Sequence, residues 1–245
     1  ETAVDVAREA ADFVLLEQDL DVIRLGIEEG RHTYANTLKY VLTTTSANLG
    51  NMVSMAIASV FLPFLPLLAG QVLLNNFLSD IPAIGIAGDA VDRELVQVPR
   101  RWDMRFITRF MLQFGLVSSL FDLLTFAALL GLGSGHGQPF GPSGGGLAEE
   151  FRTGWFVESL LTELVIALVV RTRRVFFRSR PGKLLLWSTI ALFIITLTIP
   201  YLPGASIFGF VPLPFGIVGM LLGITALYVV ATELVKARFY RQHPE

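Results

Sequence analysis

Long apolar stretches dominate the pattern of hydrophobic and polar positions along this chain. They cover residues 41–62, 66–87, 110–132, 154–170, 184–202 and 214–235. A helix that crosses a membrane needs about 20 predominantly apolar residues, with an observed range of about 17–25. Charged or Gly/Pro-rich segments separate the six runs. The pattern predicts an all-α polytopic membrane protein with six transmembrane helices in a domain over residues 41–235.

Residues 1–40 have a different, polar and amphipathic pattern. Residues 4–12 predict a helix that leads into a short buried strand at residues 13–16. Apolar residues spaced over positions 20–27 predict a second short helix that ends at Gly30. This part of the chain is therefore expected to be soluble structure.

The domain boundaries follow from these two patterns. Residues 1–30 are interpreted as the end of a cytoplasmic domain, residues 31–40 as a stalk, and residues 236–245 as a cytoplasmic tail. The chain starts with Glu1, and no basic segment precedes its first apolar run. The start is therefore interpreted as a cut through a longer polypeptide rather than as a secretory signal.

The amino-acid composition supports a membrane protein and excludes several other classes. Hydrophobic residues make up 53% of the chain and charged residues 16%, against about 25% charged residues in soluble domains. The net charge of -2 does not favour a nucleic-acid partner, and the lack of cysteine excludes disulfides and thiolate metal sites. The lipid bilayer is the expected partner.

The positions of Lys and Arg predict the orientation in the membrane. Six crossings place 18 of the 19 Lys and Arg residues on one side, and Arg152 alone on the other. Cytoplasmic loops of membrane proteins are enriched in Lys and Arg. We therefore expect a multi-pass protein of the plasma membrane with both termini in the cytoplasm.

The first two predicted spans are unusually polar. Asn48 and Asn51 are three residues apart, and Asn76 and Asp80 are four residues apart. Side chains at these spacings share one face of a helix. If the two helices face one another, carboxamide and carboxylate oxygens converge in the membrane. Oxygen ligands of this kind suit hard cations such as Mg²⁺ or Ca²⁺.

Pro82 adds to the expected cation site. Proline lacks an N–H and disfavours helical conformation at Ile81, so backbone carbonyl groups near Asp80 are expected to be free for coordination. The alternative is that the polar side chains only hydrogen-bond to neighbouring helices, as they do in many membrane bundles. A carboxylate in mid-span beside three carboxamides favours the cation site.

Four further acidic residues lie within predicted spans. Glu233 is close enough to the inner surface to be interpreted as an ordinary interfacial residue. Glu158 and Glu163 are five residues apart, about 140° round a helix, so both cannot face one site. Glu163 lies deeper in its span and is the residue expected near an ion path. Asp122 is expected to be a buried hydrogen-bonding anchor.

Several segments resemble the C-terminal third of the P-type cation-transporting ATPases. Residues 5–16 and 29–31 are similar to the end of the phosphorylation domain and the stalk of that family. Residues 48–51 (NLGN) and 76–80 (NFLSD) are similar to the ion-site segments of its fifth and sixth membrane helices. The resemblance covers nearly the whole chain, and it implies that the six spans correspond to membrane helices five to ten.

Other segments resemble the magnesium-translocating subgroup. They are residues 121–126 (FDLLTF), 154–157 (GWFV) and 171–174 (RTRR). Asn51 occupies a position that is Glu in calcium pumps, whereas Glu163 falls near an acidic ligand of calcium pumps that is an amide in magnesium pumps. The resemblance implies a cation site formed by Asn48, Asn51, Asn76, Ser79, Asp80 and Glu163.

The resemblance implies an ATP-driven pump that transports Mg²⁺ and also uses Mg²⁺ with ATP. The remainder of such a pump comprises the actuator, nucleotide-binding and phosphorylation domains and four more membrane helices. The family's DKTGT, TGE and GDGxNDxP motifs are absent from these 245 residues, so no ATPase activity is expected from this chain alone. The alternatives are a stand-alone six-helix cation channel or noncatalytic membrane subunit, and a calcium- or sodium-type pump of the same superfamily.

Overall fold

The computed structural model describes residues 3–16, 19–134 and 146–242. Within these ranges the α-helices are α1 (Asp5–Glu9), α2 (Asp21–Phe61), α3 (Ala69–Ile86), α4 (Arg93–Val96), α5 (Met104–Ser134), α6 (Leu147–Val170), α7 (Lys183–Thr198) and α8 (Phe215–Gln242). Short 3-10 turns lie at Phe176–Arg178, Ile199–Tyr201 and Ala205–Phe208. The described residues contain no β-strand.

Six long helices lie in the ranges where the apolar pattern predicts spans. Of these, α5, α6, α7 and α8 are long and apolar enough to cross a membrane by length and composition. Helices α2 and α3 do not belong to this group within the described residues, because their Asn, Ser, Thr and Asp side chains lower their mean hydropathy. The chain is thus an all-helical, multi-pass membrane protein.

Helix α6 is the central helix of the bundle and packs against α2, α3, α5, α7 and α8. Glu149 and Glu150 lie in its first turn, where negative charge stabilises a helix. Trp155, Phe156 and Leu160 are at most 1% exposed. Burial on all sides is the arrangement expected for a helix that is apolar around most of its circumference.

Close helix contacts occur where small residues meet. A Cβ atom at Gly50 of α2 would lie 2.7 Å from Cβ of Ser118 in α5, and Oγ of Ser119 donates to the Gly50 carbonyl at 3.0 Å. A Cβ at Gly85 of α3 would lie 2.8 Å from Cα of Leu185 in α7. Small residues at these positions let helices approach closely, as is common in membrane bundles.

Two expectations for the N-terminal region are wrong. The expected second short helix does not end at Gly30 but forms the first part of α2, which runs unbroken from Asp21 to Phe61. A single glycine costs a helix only about 1 kcal/mol, which the flanking turns outweigh. The expected strand at residues 13–16 is not formed, and Phe13 is 91% exposed. A buried strand needs adjacent strands, and the described residues supply none.

Helix α8 extends beyond the apolar run at residues 214–235 and continues to Gln242, within the segment interpreted as the tail. Lys236 explains part of this continuation, because its Nζ atom donates to the carbonyl oxygens of Val169 and Arg174 at 2.8 Å each. Residues 243–245 lie outside the described residues.

A buried ionic cluster joins α2 to the α3–α5 and α6–α7 connections. Lys39 Nζ donates to Asp89 Oδ2 at 2.7 Å, and Arg171 Nη1 lies 3.2 and 3.3 Å from the two Asp89 oxygens. The backbone N–H of Gly182 donates to Asp89 Oδ1 at 2.7 Å. The three charged side chains are at most 6% exposed. These four residues are called the Asp89 cluster below.

Candidate cation site

A cavity of about 280 Å³ lies between α2, α3 and α6. Asn48 of α2 lines it together with Asn76, Ser79 and Asp80 of α3 and Glu163 of α6. Helices α2 and α3 therefore face one another across the cavity, and α6 contributes a second carboxylate. The structure brings five of the six expected site residues together.

Asn51 lies beside this group. It lines a neighbouring cavity of about 360 Å³, which also includes Asn48 and Asn76. Its Oδ1 atom accepts a hydrogen bond from Ser159 Oγ at 3.2 Å. Residues three apart in a helix are turned by about 60° and shifted by about 4.5 Å, which separates Asn51 from the carboxylates.

Asn75 is a site residue that was not expected. Its Nδ2 atom donates to Glu163 Oε2 at 3.1 Å, and the side chain is buried. This hydrogen bond fixes the orientation of the Glu163 carboxyl group at the cavity. The adjacent pair Asn75 and Asn76 could have indicated this second contact in the sequence. Neighbouring helical residues point about 100° apart and so contact different helices.

Helix α3 continues through Pro82 to Ile86, so Ile81 is helical, contrary to the expectation. The hydrogen bonds of the surrounding turns are sufficient to hold the helix. Pro82 itself lines the cavity. Because Pro82 has no N–H, the carbonyl group of Leu78, four residues earlier, lacks its usual donor within the helix.

The cavity offers oxygen ligands. Asn48, Asn76 and Asp80 are exposed, and Glu163 is half-buried. No group of three or more His, Cys, Asp or Glu residues suited to a metal ion occurs in the described part of the chain. The available set is therefore two carboxylates with carboxamide and hydroxyl oxygens. Such a set suits a hard cation that keeps part of its water shell.

The other acidic residues of the spans have different surroundings. Asp122 is confirmed as a buried anchor, since its two oxygens accept from Ser54 Oγ at 2.6 Å and from Trp155 Nε1 at 2.9 Å. Glu158 is fully buried and lines neither cavity. Of the two glutamates five residues apart in α6, only Glu163 faces the candidate site.

Comparisons with known proteins bear on this arrangement. A family described as "Cation transporting ATPase, C-terminus" matches residues 64–238. A "Magnesium-transporting ATPase, P-type 1" of Escherichia coli strain K12 is 40% identical over 242 residues. The alignment covers 98% of this chain and 26% of that protein.

Two further relatives give the range of similarity. A protein of the same name from Salmonella typhimurium strain LT2 is 39% identical, with the same coverage of 98% and 26%. A "Calcium-transporting ATPase type 2C member 1" of Mus musculus is 31% identical over 122 residues, which are 49% of this chain and 13% of that protein. The chain thus spans about a quarter of the length of the magnesium-transporting relatives.

Proposed function

This chain belongs to the P-type cation-transporting ATPases, as a C-terminal membrane region most like that of the magnesium-transporting subgroup, and from this we propose that it forms half or more of an intramembrane site for transported Mg²⁺. The observation that carries the proposal is the meeting of Asp80 and Glu163 in one cavity. Two ionised carboxylates balance the charge of one divalent cation.

The size and lining of the cavity support Mg²⁺ as the transported ion. Mg²⁺ gives up its water reluctantly and is usually bound by one or two carboxylates together with several waters. The cavity of about 280 Å³ has room for several waters at about 30 Å³ each. Asn48 and Asn76 add neutral oxygens that bind the ion or its waters without adding charge.

In the proposed pump, catalysis takes place outside this chain. ATP hydrolysis, with Mg²⁺ as the companion of ATP, belongs to the actuator, nucleotide-binding and phosphorylation domains. Four further membrane helices complete the cation site on the side where Asn48, Asn76 and Asp80 are exposed. Helix α2 extends from residue 21 to the site and so supplies the proposed stalk at residues 31–40.

The proposed topology has six crossings with both termini in the cytoplasm. The distribution of Lys and Arg supports this orientation in a plasma membrane. Helices α2 and α3 are included as spans although they are polar, because the polar side chains line the cavities inside the bundle.

The experiment that tests the site is Mg²⁺ uptake by the full-length protein in cells that lack other Mg²⁺ transporters. We expect the substitution Asp80→Asn to lower uptake about tenfold or more. Loss of a residue that merely supports a metal ligand already costs about 10–100-fold, and loss of a charged ligand should cost at least as much. Glu150→Gln, a carboxyl-to-amide change away from the cavity, serves as the control and should leave uptake unchanged.

Three results would contradict the proposal. Uptake by Asp80→Asn at the level of Glu150→Gln would remove Asp80 from the site. Inhibition of uptake by Ca²⁺ or Na⁺ at concentrations below the Mg²⁺ needed for transport would favour the calcium- or sodium-type pump instead. Uptake that continues without ATP would favour a channel.

A further inference from the structure

Two carboxyl groups lie buried in the membrane bundle outside the candidate cation site. Asp122 of α5 is 2% exposed and Glu158 of α6 is 0% exposed. Their carboxyl groups interact with each other. Neither residue lines the cavity that contains Asp80. This pair is therefore a separate polar centre of the bundle, between α5 and α6.

The two acids have unequal hydrogen-bonding partners. Both oxygens of Asp122 are occupied, one by the hydroxyl group of Ser54 in α2 and the other by the indole N–H of Trp155 in α6. Both donors stabilise a carboxylate. The two oxygens of Glu158 accept no hydrogen bond from any described residue. The surroundings of Asp122 therefore stabilise a carboxylate, whereas those of Glu158 supply no hydrogen-bond donor to one.

No positive charge compensates the pair within the described residues. The other titratable groups that interact with it are the phenol of Tyr228 in α8 and the carboxyl group of Glu163 in α6. An isolated carboxylate buried in an apolar interior is so unfavourable that the group takes up a proton instead. A second carboxylate beside it adds direct repulsion.

We propose that Asp122 and Glu158 form a proton-binding site, in which Glu158 holds one proton and donates it as a hydrogen bond to Asp122. The site then carries one negative charge rather than two. The proton also gives Glu158 the partner that it otherwise lacks. Asp122 already joins α2, α5 and α6 through Ser54 and Trp155, and the proton adds a second link between α5 and α6.

Infrared spectroscopy of the full-length protein at neutral pH tests the proposal directly. With isotope-labelled glutamate, a protonated Glu158 contributes a carboxylic-acid carbonyl band that moves with the label. We expect this band to be lost in Glu158→Gln and retained in Glu150→Gln, the matched change in the first turn of the same helix. A spectrum of Glu158→Gln that still contains the complete wild-type band would overturn the proposal.

A second variant keeps the test decisive if Glu158→Gln does not fold. The substitution Asp122→Asn replaces the charged acceptor by a weaker neutral one, so the carbonyl band of Glu158 should shift to higher frequency. No shift would show that the proton is not shared with Asp122, and absence of a labelled acid band from the wild-type protein would show that Glu158 is ionised.

Thermal unfolding distinguishes a hydrogen bond donated by Glu158 from simple packing of its side chain. In Glu158→Gln an amide N–H replaces the carboxylic-acid O–H toward Asp122, so the apparent melting temperature should stay within about 2–4 °C of the wild type, the shift for about 1 kcal/mol. Glu158→Ala has no donor and should melt well below it. Equal losses in the two variants would contradict a donating role for Glu158.

Discussion

Removal of the Asp89 side chain should destabilise the protein more than removal of any exposed acid in the same connection. In Asp89→Ala, Lys39 and Arg171 lose the carboxylate that pairs with both of them, and the N–H of Gly182 loses its acceptor. Asp92 still interacts electrostatically with Lys39. Both cations are at most 6% exposed, so water cannot replace the carboxylate without local opening. The substitution therefore leaves Lys39 and Arg171, the two cations of the Asp89 cluster, without the anion that pairs with both.

The expected magnitude follows from this burial. Breaking a buried ion pair by removing one partner costs about 3–5 kcal/mol. A unit of about 150–250 residues loses about 2–4 °C of melting temperature per kcal/mol. The apparent midpoint of thermal unfolding should therefore fall by about 6–20 °C. The assay is the loss of soluble, monodisperse full-length protein in detergent after heating.

Glu94→Ala is the matched control for this experiment. Glu94 lies in the same connection as Asp89 and forms an ion pair with Arg174, but the two side chains are 58% and 49% exposed. Exposed pairs contribute about 0–1 kcal/mol because water and salt screen them. The control should therefore shift the midpoint by no more than about 4 °C.

The loss of stability in Asp89→Ala should also depend on pH. Burial lowers the pKa of Lys39 below its usual value, and Asp89 opposes this effect. Without Asp89 the pKa of Lys39 should fall further. The folded state then binds fewer protons than the unfolded state over a wider pH range. Stability then rises with pH, and the deficit of the variant should shrink from about pH 7 to about pH 10 as Lys39 loses its charge.

A double substitution distinguishes charge from packing. Lys39→Met removes one of the two cations, so Asp89→Ala should be less harmful in that background, and its pH dependence should disappear. Arg171 remains as a second buried cation, so the rescue is partial. The reasoning is refuted if Asp89→Ala melts like Glu94→Ala, or if its effect is the same with and without Lys39.

Two further predictions concern helix packing and are measured by the same thermal assay. Gly85→Ala should lower stability by about 1–3 kcal/mol, because its Cβ would lie 2.8 Å from backbone atoms of Leu185, whereas Gly88→Ala has open space and should be near neutral. Lys236→Met should lower stability by about 1–3 kcal/mol, because the carbonyl groups of Val169 and Arg174 lose their donor. An unchanged midpoint would mean that other donors satisfy these carbonyl groups.

The sequence predicts the long helices well because their signal is local. Hydropathy and length alone place a helix in each of the six expected ranges. The four-residue spacing of Asn76 and Asp80 correctly predicts that both face one cavity. Features that depend on distant partners are not predictable in this way. The expected strand at residues 13–16 is one of them, because a strand forms only where other strands accept its backbone hydrogen bonds.

The candidate site shows the same limit. Five of the six expected residues line one cavity, but spacing does not reveal how far α2 is rotated toward α6. That rotation decides that Asn51 contacts Ser159 and lies beside the cavity with the carboxylates. The rotation of α3 toward α6 likewise decides which of its two neighbouring asparagines, Asn75 or Asn76, holds the Glu163 carboxyl group. Such choices depend on packing between helices that are distant in sequence.

Helix α2 is unbroken over Asp21–Phe61 and packs tightly against α5 at Gly50. A tilt of the helix about this contact therefore moves its two ends by very different distances. Asp21 lies about 44 Å from Gly50 along the axis, whereas Asn48 lies only about 3 Å away. A tilt of about 10° around the Gly50–Ser118 contact moves the Asp21 end by about 8 Å and Asn48 by about half an ångström. A turn of about 20° around the helix axis instead displaces an Asn48 oxygen by about 2 Å. Rotation of α2 about its own axis therefore displaces the cavity lining more than a moderate tilt of the helix does.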